Sequence, residues 1–513
     1  MNLSAAARET LPAGVIPLRD NVLAGRFFGN QQAAAARAVA EFAVDEAGSA
    51  FCCWFGATHA AALLADADTL RSALDRDIAA IDALLSEQVD AILHAPRLRK
   101  LEGSWRGLAW LVGGLEPGGR VKVRLFNAAW AEICRDMERA SEFDQSNLFR
   151  RVYEDEFGTP GGEPFGLLVI DHEVRHRPSA QAPTDDVAAI AALSSIAAAA
   201  FSMVVLAASP ALLDVDEFAD LAMASDPASP LRQPLHARWR SLARRDDMRF
   251  VCVVMPRVLA RPPWPDDPTR GDGFRYAEYA PRASSRVWMS AGYPFAAVVA
   301  RAFANHAWPA DIRGIDTDRD GGGVVTELPV EYFGTDPPLV WARPPLDLVL
   351  HDGQERLLIE AGLVPLTALP YGVDAAFASI SSLQRPGEYA GATADAANAN
   401  ARISSQVNAM LCASRFAHYI KVIGRDMVGS LQTAEKIEQR LQAWLNGYVN
   451  AAINAGPETR ARQPLVAGRV TVGERPGRPG VFGCTIQLQP HFQLDDVAAT
   501  FRLVTEITAP GQR

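Results

Sequence analysis

Few of the signatures that announce a chemistry are present, and each gap removes a class of function. The six cysteines (Cys52, Cys53, Cys134, Cys252, Cys412 and Cys484) are scattered. None forms a CxxC pair or a Cys/His cluster with zinc or redox spacing, so buried reduced thiols are expected. There is no Walker A, G-x-G-x-x-G or G-x-S-x-G sequence, which removes the common phosphate cradles and the nucleophile elbow. The nine histidines include no HExxH. Positive charge is not in excess: 50 Lys and Arg against 60 Asp and Glu leave a formal net charge of −10, with the signs interspersed. Such a surface has no broad cationic footprint for a phosphate backbone, so no nucleic-acid partner is expected. The opening "MNLSAAARETLPAGVIPLRDNV" lacks the basic start, apolar core and cleavage site of a secretory signal, and a cytoplasmic location is the expectation. Neither an internal repeat nor a sustained heptad pattern is found.

What is there is an ordinary globular composition: 513 residues, 49% hydrophobic, enough for a large core and about two to four domains. Val187 to Ala208 is a run of 22 uncharged residues, long enough to cross a bilayer. It changes character midway, from an Ala-rich stretch suited to a buried helix to the β-prone "FSMVVLAA" that stops at Ser209-Pro210. A core helix followed by a core strand is expected, without membrane insertion.

Periodicity divides the chain into four parts: a helical leader (1–48), a helical region (49–100), an α/β core (101–400), and long helices followed by terminal strands (401–513). Leu70, Leu74, Ile78, Ile81, Leu84, Leu85, Val89 and Ile92 keep a 3.6-residue period and predict a helix over Asp66 to His94. "VKVRLFN" (121–127) alternates like a strand, "AAWAEICRDMERA" reads as a helix, and "PFGLLVID" as a buried strand. Residues 248–259 carry a strand and 287–308 a helix, one or two helices fill 414–453, and three β-prone segments close the chain. The fold class is α/β (α+β), with a layered mixed-sheet core.

Three clusters invite a chemical reading. "DTDRDGGGVVTE" (Asp316 to Glu327) matches the spacing of a calcium loop. Pro309, Gly314 and Pro329 interrupt the flanking helices an EF-hand requires, which favours an exposed acidic turn. In "YEDEFGTPGGEPFGLLVIDHE" (153–173), Glu154, Asp155, Glu156, Glu163, Asp171 and Glu173 could do acid/base work if burial separated their pKa values. The plainer reading is a solvated helix end, a Gly-Gly turn and a strand end. His172 and His176 are four apart around Glu173, but follow a strand in an Arg-rich loop, a poor setting for a metal. No cofactor is expected.

Read in order, "LDRDIAAIDALLSEQVDAILHAPRLRKLEGSWRGLAWLV", "VYEDEFGTPGGEPFGLLVIDHE", "WRSLARRDDMRFVCVVMPRVLARPPW", "RFAHYIKVIGRDMVGS", "LQAWLNGYV" and "PLVAGRVTVGERPGRPGVFGCTIQLQPHFQLDDVAATFRLV" resemble the large subunit of the type VI secretion contractile sheath, the TssC/VipB family. His172 and Val174 depart from it where aromatic residues are usual, and residues 316–320 enlarge a loop. The resemblance implies a core like that of phage tail sheath domains and a structural role without catalysis. The implied partners are a small sheath subunit, further copies of the chain in a helical sheath, inner-tube hexamers in the lumen, a baseplate, and an AAA+ unfoldase for disassembly. The sheath would dock at the inner membrane through the baseplate. A sheath protein of another contractile injection device is the near alternative, and a carboxylate- or calcium-dependent hydrolase the remote one.

The same resemblance makes "GTPGGEPFG" a structural turn built on Gly158, Pro160, Gly161, Gly162 and Pro164. It offers "LRDNVLAGRFF", with Leu18, Val22, Leu23, Phe27 and Phe28 as anchors, as the helix an unfoldase recognises, or else a helix that packs on the small subunit. Strands at a chain end can join a neighbour's sheet. Val466, Val470 and Val472, then Phe482, Ile486 and Leu488, then Phe501, Leu503 and Val504 mark the three expected to form a sheet shared between protomers.

Overall fold

The computed structural model describes residues 18–25, 47–159, 161–271, 273–315, 321–333, 342–370, 372–385, 387, 398, 401, 405–427, 433–452, 456–474 and 482–491, and the backbone of 501–507. The chain divides into two compact units, one drawn from Met1–Arg99 and Pro263–Arg286, the other from Lys100–Pro262 and Val287–Arg513.

The first unit is helical: α1 (Leu18–Leu23), α2 (Ala47–Phe55), α3 (Ala57–Leu63) and α4 (Ala67–Leu93). Helix α4 begins where Asp66 accepts hydrogen bonds from the Asp68 and Thr69 amides, both at 3.3 Å, satisfying two orphan donors of its first turn. It stops just ahead of Pro96, because the residue before a proline is driven out of helical geometry. Phe55, Ala60, Leu63 and Ala73 form a small core between α2, α3 and α4. The inserted stretch 263–286 is fixed to α4 by polar contacts: Tyr276 donates to Asp90 at 2.8 Å, and the buried Glu278 faces His94, which caps α4, at 3.2 Å.

The second unit opens with α5 (Pro96–Gly113, from Lys100 onward) and α6 (Trp130–Arg139), and is built on a parallel sheet. Its strands are β1 (Leu167–Val174), β2 (Met203–Ala208), β3 (Val251–Met255) and β9 (Val364–Pro365), in the order β1-β2-β3-β9. Parallel strands are covered on both faces, so they read as continuous apolar runs; "MVVLAA" and "VCVVM" are buried at every residue. Helix α7 (Asp186–Ala200) crosses from β1 to β2, with Ile190, Leu193, Ile196 and Ala197 wholly enclosed. The uncharged run is therefore a core helix and a core strand. Among the described residues no helix is long and apolar enough to cross a membrane. Helix α8 (Ala237–Ala243) precedes β3, and α9 (Gly292–His306) packs beside β1 and β2.

Short pieces complete the layer: β4 (Val258–Leu259) with β5 (Trp288–Met289), β6 (Val324–Val325) with β10 (Thr367–Ala368) and β11 (Ala375–Ala376), β7 (Glu331–Tyr332) with β8 (Ala342–Arg343), and helix α10 (Asp352–Glu360). The end of the chain has a core of its own. Helices α11 (Val407–Met427) and α12 (Ala434–Asn446) are followed by α13 (Pro457–Arg462) and by the antiparallel sheet of β12 (Leu465–Glu474), β13 (Phe482–Pro490) and β14 (Phe501–Ile507). Phe416, Ile420, Leu441, Leu445, Val470, Ile486 and Leu488 are buried together there.

One expected strand is not a strand. "VKVRLFN" has no regular secondary structure and pairs with no described strand. Lys122 and Arg124 instead turn back to Glu163 and Glu156, and Val123, Leu125 and Phe126 stand 44%, 65% and 61% exposed. A period of two needs a neighbouring backbone to become a sheet, and this chain supplies none among its described residues.

Candidate functional site

The acidic stretch that could be read as a catalytic centre is a set of ion pairs. Glu156, nearly buried, pairs with Arg124 and accepts the Glu163 amide at 2.8 Å. Glu163 pairs with Lys122, whose hydrogen bond holds its carboxyl below the ordinary range. Asp155 pairs with Arg151 at 3.3 Å, Asp171 accepts from Lys100 at 3.3 Å and from the Tyr293 hydroxyl at 3.2 Å, Glu154 lies in a π turn, and Glu173 sits in β1. Gly161 has φ +82, and a side chain at Gly162 would strike the Glu156 carbonyl, so the turn demands glycine at both positions. Gly158 caps the preceding helical turn and Pro164 leads into β1; Pro160 lies outside the described residues. What the carboxylates do is clamp the turn and the 122–124 segment to one another.

The other chemical candidates also separate. His172 stacks on Trp130 with ring centroids 4.5 Å apart and faces Asp186 at 3.2 Å, whereas His176 lies in a different cluster with His236 and Asp214. In the calcium-like loop, residues 316–320 lie outside the described residues; Glu327 is exposed, at φ +58, and its backbone carbonyl accepts from the Trp110 indole at 2.9 Å. All six cysteines are free thiols, and burial pushes Cys134, Cys412 and Cys484 up to about 12, far from a reactive thiolate.

Of the leader's anchors, Leu18 is buried and Val22 and Leu23 are half-buried in α1; Phe27 and Phe28 lie outside the described residues. Helix α1 is held by Arg19, which donates to Asp77 of α4 from Nε at 2.7 Å and Nη2 at 2.9 Å, while the Trp54 indole donates to the same carboxylate at 2.9 Å. Burial pushes the Asp77 carboxyl up, but the bonds from Arg19 and Trp54 outweigh it and leave it below the ordinary range.

The terminal strands form a sheet within the chain. Val470 sits opposite Ile486, and Val472 opposite Cys484, and these four are buried against the helices. Val466 and Phe482 are half-buried, and Leu488 is enclosed. Leu503 and Phe501 lie opposite Ile486 and Leu488, with Val504 opposite Thr485. The two edges of the sheet differ. On β12 the amides of Val470 and Val472 donate to Gln442 and Glu438 of α12, both at 2.8 Å, and Gln442 donates to the Gly468 carbonyl at 3.0 Å. That edge is closed by side chains one helical turn apart. Strand β14 pairs with β13 and with no other described strand.

Two features escaped the sequence reading. The closing of β12 by Glu438 and Gln442 is a tertiary contact between residues about 30 apart, with no local signature. Helix α5 has a second apolar side: Leu101, Trp105 and Val112 are exposed on it, while Gly103, Gly107 and Leu111 are buried. Spacings of four and seven, seen beside the buried set, would have suggested it.

The EvpB/VC_A0108 tail sheath N-terminal domain matches residues 75–384, and the EvpB/VC_A0108 tail sheath gpW/gp25-like domain matches residues 396–507. The type VI secretion system sheath protein TssC1 of Pseudomonas aeruginosa is 33% identical over 445 residues, covering 86% of each chain.

Proposed function

The chain belongs to the VipB/TssC family of type VI secretion sheath proteins, and from that premise we propose that it pairs with a small sheath subunit and polymerises helically around an inner tube. Contraction is then a switch between two packings of the same subunits, which drives the tube and its cargo outward. Head-to-tail contacts whose rotation does not close give a filament instead of a ring. The observation that carries the reading is the asymmetric terminal sheet, with one edge sealed by Glu438 and Gln442 and the other, β14, paired among the described residues with β13 alone, an edge suited to a strand from a neighbouring protomer. Segment 121–127, which pairs with no described strand, and the outward side of α5 support a second contact, which we assign to the small subunit. In this scheme the chain is not an enzyme, works in the cytoplasm, contacts inner-tube hexamers and a baseplate that docks the sheath at the inner membrane, and is recycled by an AAA+ unfoldase. Helix α1 is the proposed handle, and it must leave Asp77 to be gripped.

Negative-stain electron microscopy of this chain co-expressed with its small subunit tests the proposal. Hollow tubes are expected from the full-length chain, and only short or no tubes once residues 501–513 are removed. Tubes of normal length from the truncated chain would rule out strand exchange through β14. Discrete particles from the full-length chain, with a folded partner present, would overturn the sheath role itself.

A further inference from the structure

His176, Asp214 and His236 meet beyond the carboxyl ends of β1 and β2, where open parallel sheets characteristically place ligands. His176 lies two residues past β1. Asp214 ends the 3₁₀ turn Pro210–Leu213 that follows β2, and His236 ends the turn Pro234–His236 leading into α8. Both imidazoles are enclosed, at 4% and 0% exposure, with ring centroids 3.8 Å apart. The Nε2 of His236 donates to the Leu212 carbonyl at 2.9 Å. A carbonyl only accepts, so this bond fixes the tautomer and leaves the lone pair on Nδ1. That Nδ1 stands 3.9 Å from Asp214 Oδ2, and His176 Nε2 stands 3.8 Å from Asp214 Oδ1, both too long for hydrogen bonds. Neither nitrogen of His176 forms a hydrogen bond of normal geometry, although the Ala211 backbone lies close to that ring, and the Nδ1 of His236 lacks a partner as well.

Three unsatisfied nitrogens in two buried rings are rare, and such groups need a specific explanation. We propose that His176, His236 and Asp214 bind a divalent first-row transition ion, zinc foremost, through two imidazole nitrogens and one carboxylate. The three ligand atoms lie within 4.8 Å of one another, and metal–ligand bonds of about 2.1 Å set tetrahedral edges of about 3.4 Å, so a small contraction completes the site. Two nitrogens and one oxygen suit zinc or cobalt, whereas calcium and magnesium favour oxygen alone. The Leu212 carbonyl behind His236 is the outer contact that orients a ligating imidazole. Asp214, in the left-handed region at φ 53, is held at the site with its carboxylate 34% exposed, which gives an ion its way in. The bound ion pins together the loops after β1 and β2 and the entry to α8. This assignment is independent of the sheath role.

The test uses the full-length, tag-free protein, stripped with chelator and dialysed. Titration with cobalt(II) alone should give the visible spectrum of a tetrahedral site, saturating at about one ion per chain and abolished by added zinc. Asp214→Ala changes a partly exposed residue and should bind 10- to 100-fold more weakly, roughly the loss seen when metal-site contacts are removed, with an unchanged circular dichroism spectrum. His236→Ala should lose the spectrum altogether. Because that variant could misfold, the wild-type spectrum and Asp214→Ala carry the decision. No tetrahedral spectrum in the wild type, or an Asp214→Ala affinity equal to it, would overturn the assignment.

Discussion

At the scale of single residues, stability rests on a few buried charges whose partners come from far along the chain. Asp347 is fully enclosed and accepts from the Arg257 amide at 2.9 Å and from its Nε at 2.6 Å. Burial pushes this carboxyl up to about 6, with Arg257 pulling the other way. For Arg257, burial acts downward but the Asp347 charge outweighs it and leaves the guanidinium more firmly protonated. The opposite outcomes are consistent, because Asp347 has no exposure and Arg257 keeps about a quarter of its own. Arg257→Ala strands a buried carboxylate and should cost about 3–5 kcal/mol, read from the denaturant midpoint. A carboxyl whose folded pKa exceeds its unfolded value of about 4 contributes stability below that value and loses it as pH rises through the folded pKa. The deficit of Arg257→Ala should therefore be smaller at pH 5, where Asp347 can take up a proton, than at pH 8. An equal deficit at both would show that Asp347 stays charged throughout.

At the scale of elements, α5 separates folding from assembly. A side chain at Gly103 would meet the Trp288 carbonyl, and one at Gly107 the Tyr293 ring. Gly103→Ala should then lose about 1–3 kcal/mol by overpacking, despite the better helix propensity of alanine. Trp105→Asp, on the exposed side, should move the unfolding midpoint by no more than about 0.5 kcal/mol yet stop tube formation with the small subunit. Normal tubes from Trp105→Asp would place that subunit elsewhere. These elements also mark what was legible in the sequence. Helix α4, the α7–β2 pair and the three closing strands are readable because their apolar period is local and long. Residues 121–127 carry an equally good period of two, but being a strand depends on a backbone that the pattern does not encode. His176 was readable only as a neighbour of His172, four residues away on β1. Its actual companions, Asp214 and His236, are brought to it by the crossovers between β1, β2 and α8.

At the scale of the whole molecule, the two ends of the chain differ in readiness. Among the described residues strand β14 pairs with β13 alone, whereas α1 is engaged by the Arg19–Asp77 pair. Asp77 is nearly enclosed and its carboxyl lies below the ordinary range. A depressed carboxyl contributes stability above its unfolded pKa of about 4 and loses it only as pH falls through the folded value. Helix α1 thus remains docked throughout the neutral range, and its release calls for a competing binder instead of a proton. Asp77→Asn keeps the shape of the side chain but removes its charge, and should weaken docking by about 2 kcal/mol, within the range for charged hydrogen bonds. That corresponds to roughly 30-fold more frequent opening of α1. Hydrogen exchange at the amides of α1 measures it directly, with those of α7 as an internal standard that should not change. If α1 protection were the same in Asp77→Asn as in the wild type, the leader would be retained by Leu18 packing alone, and an unfoldase would meet no charge-based latch.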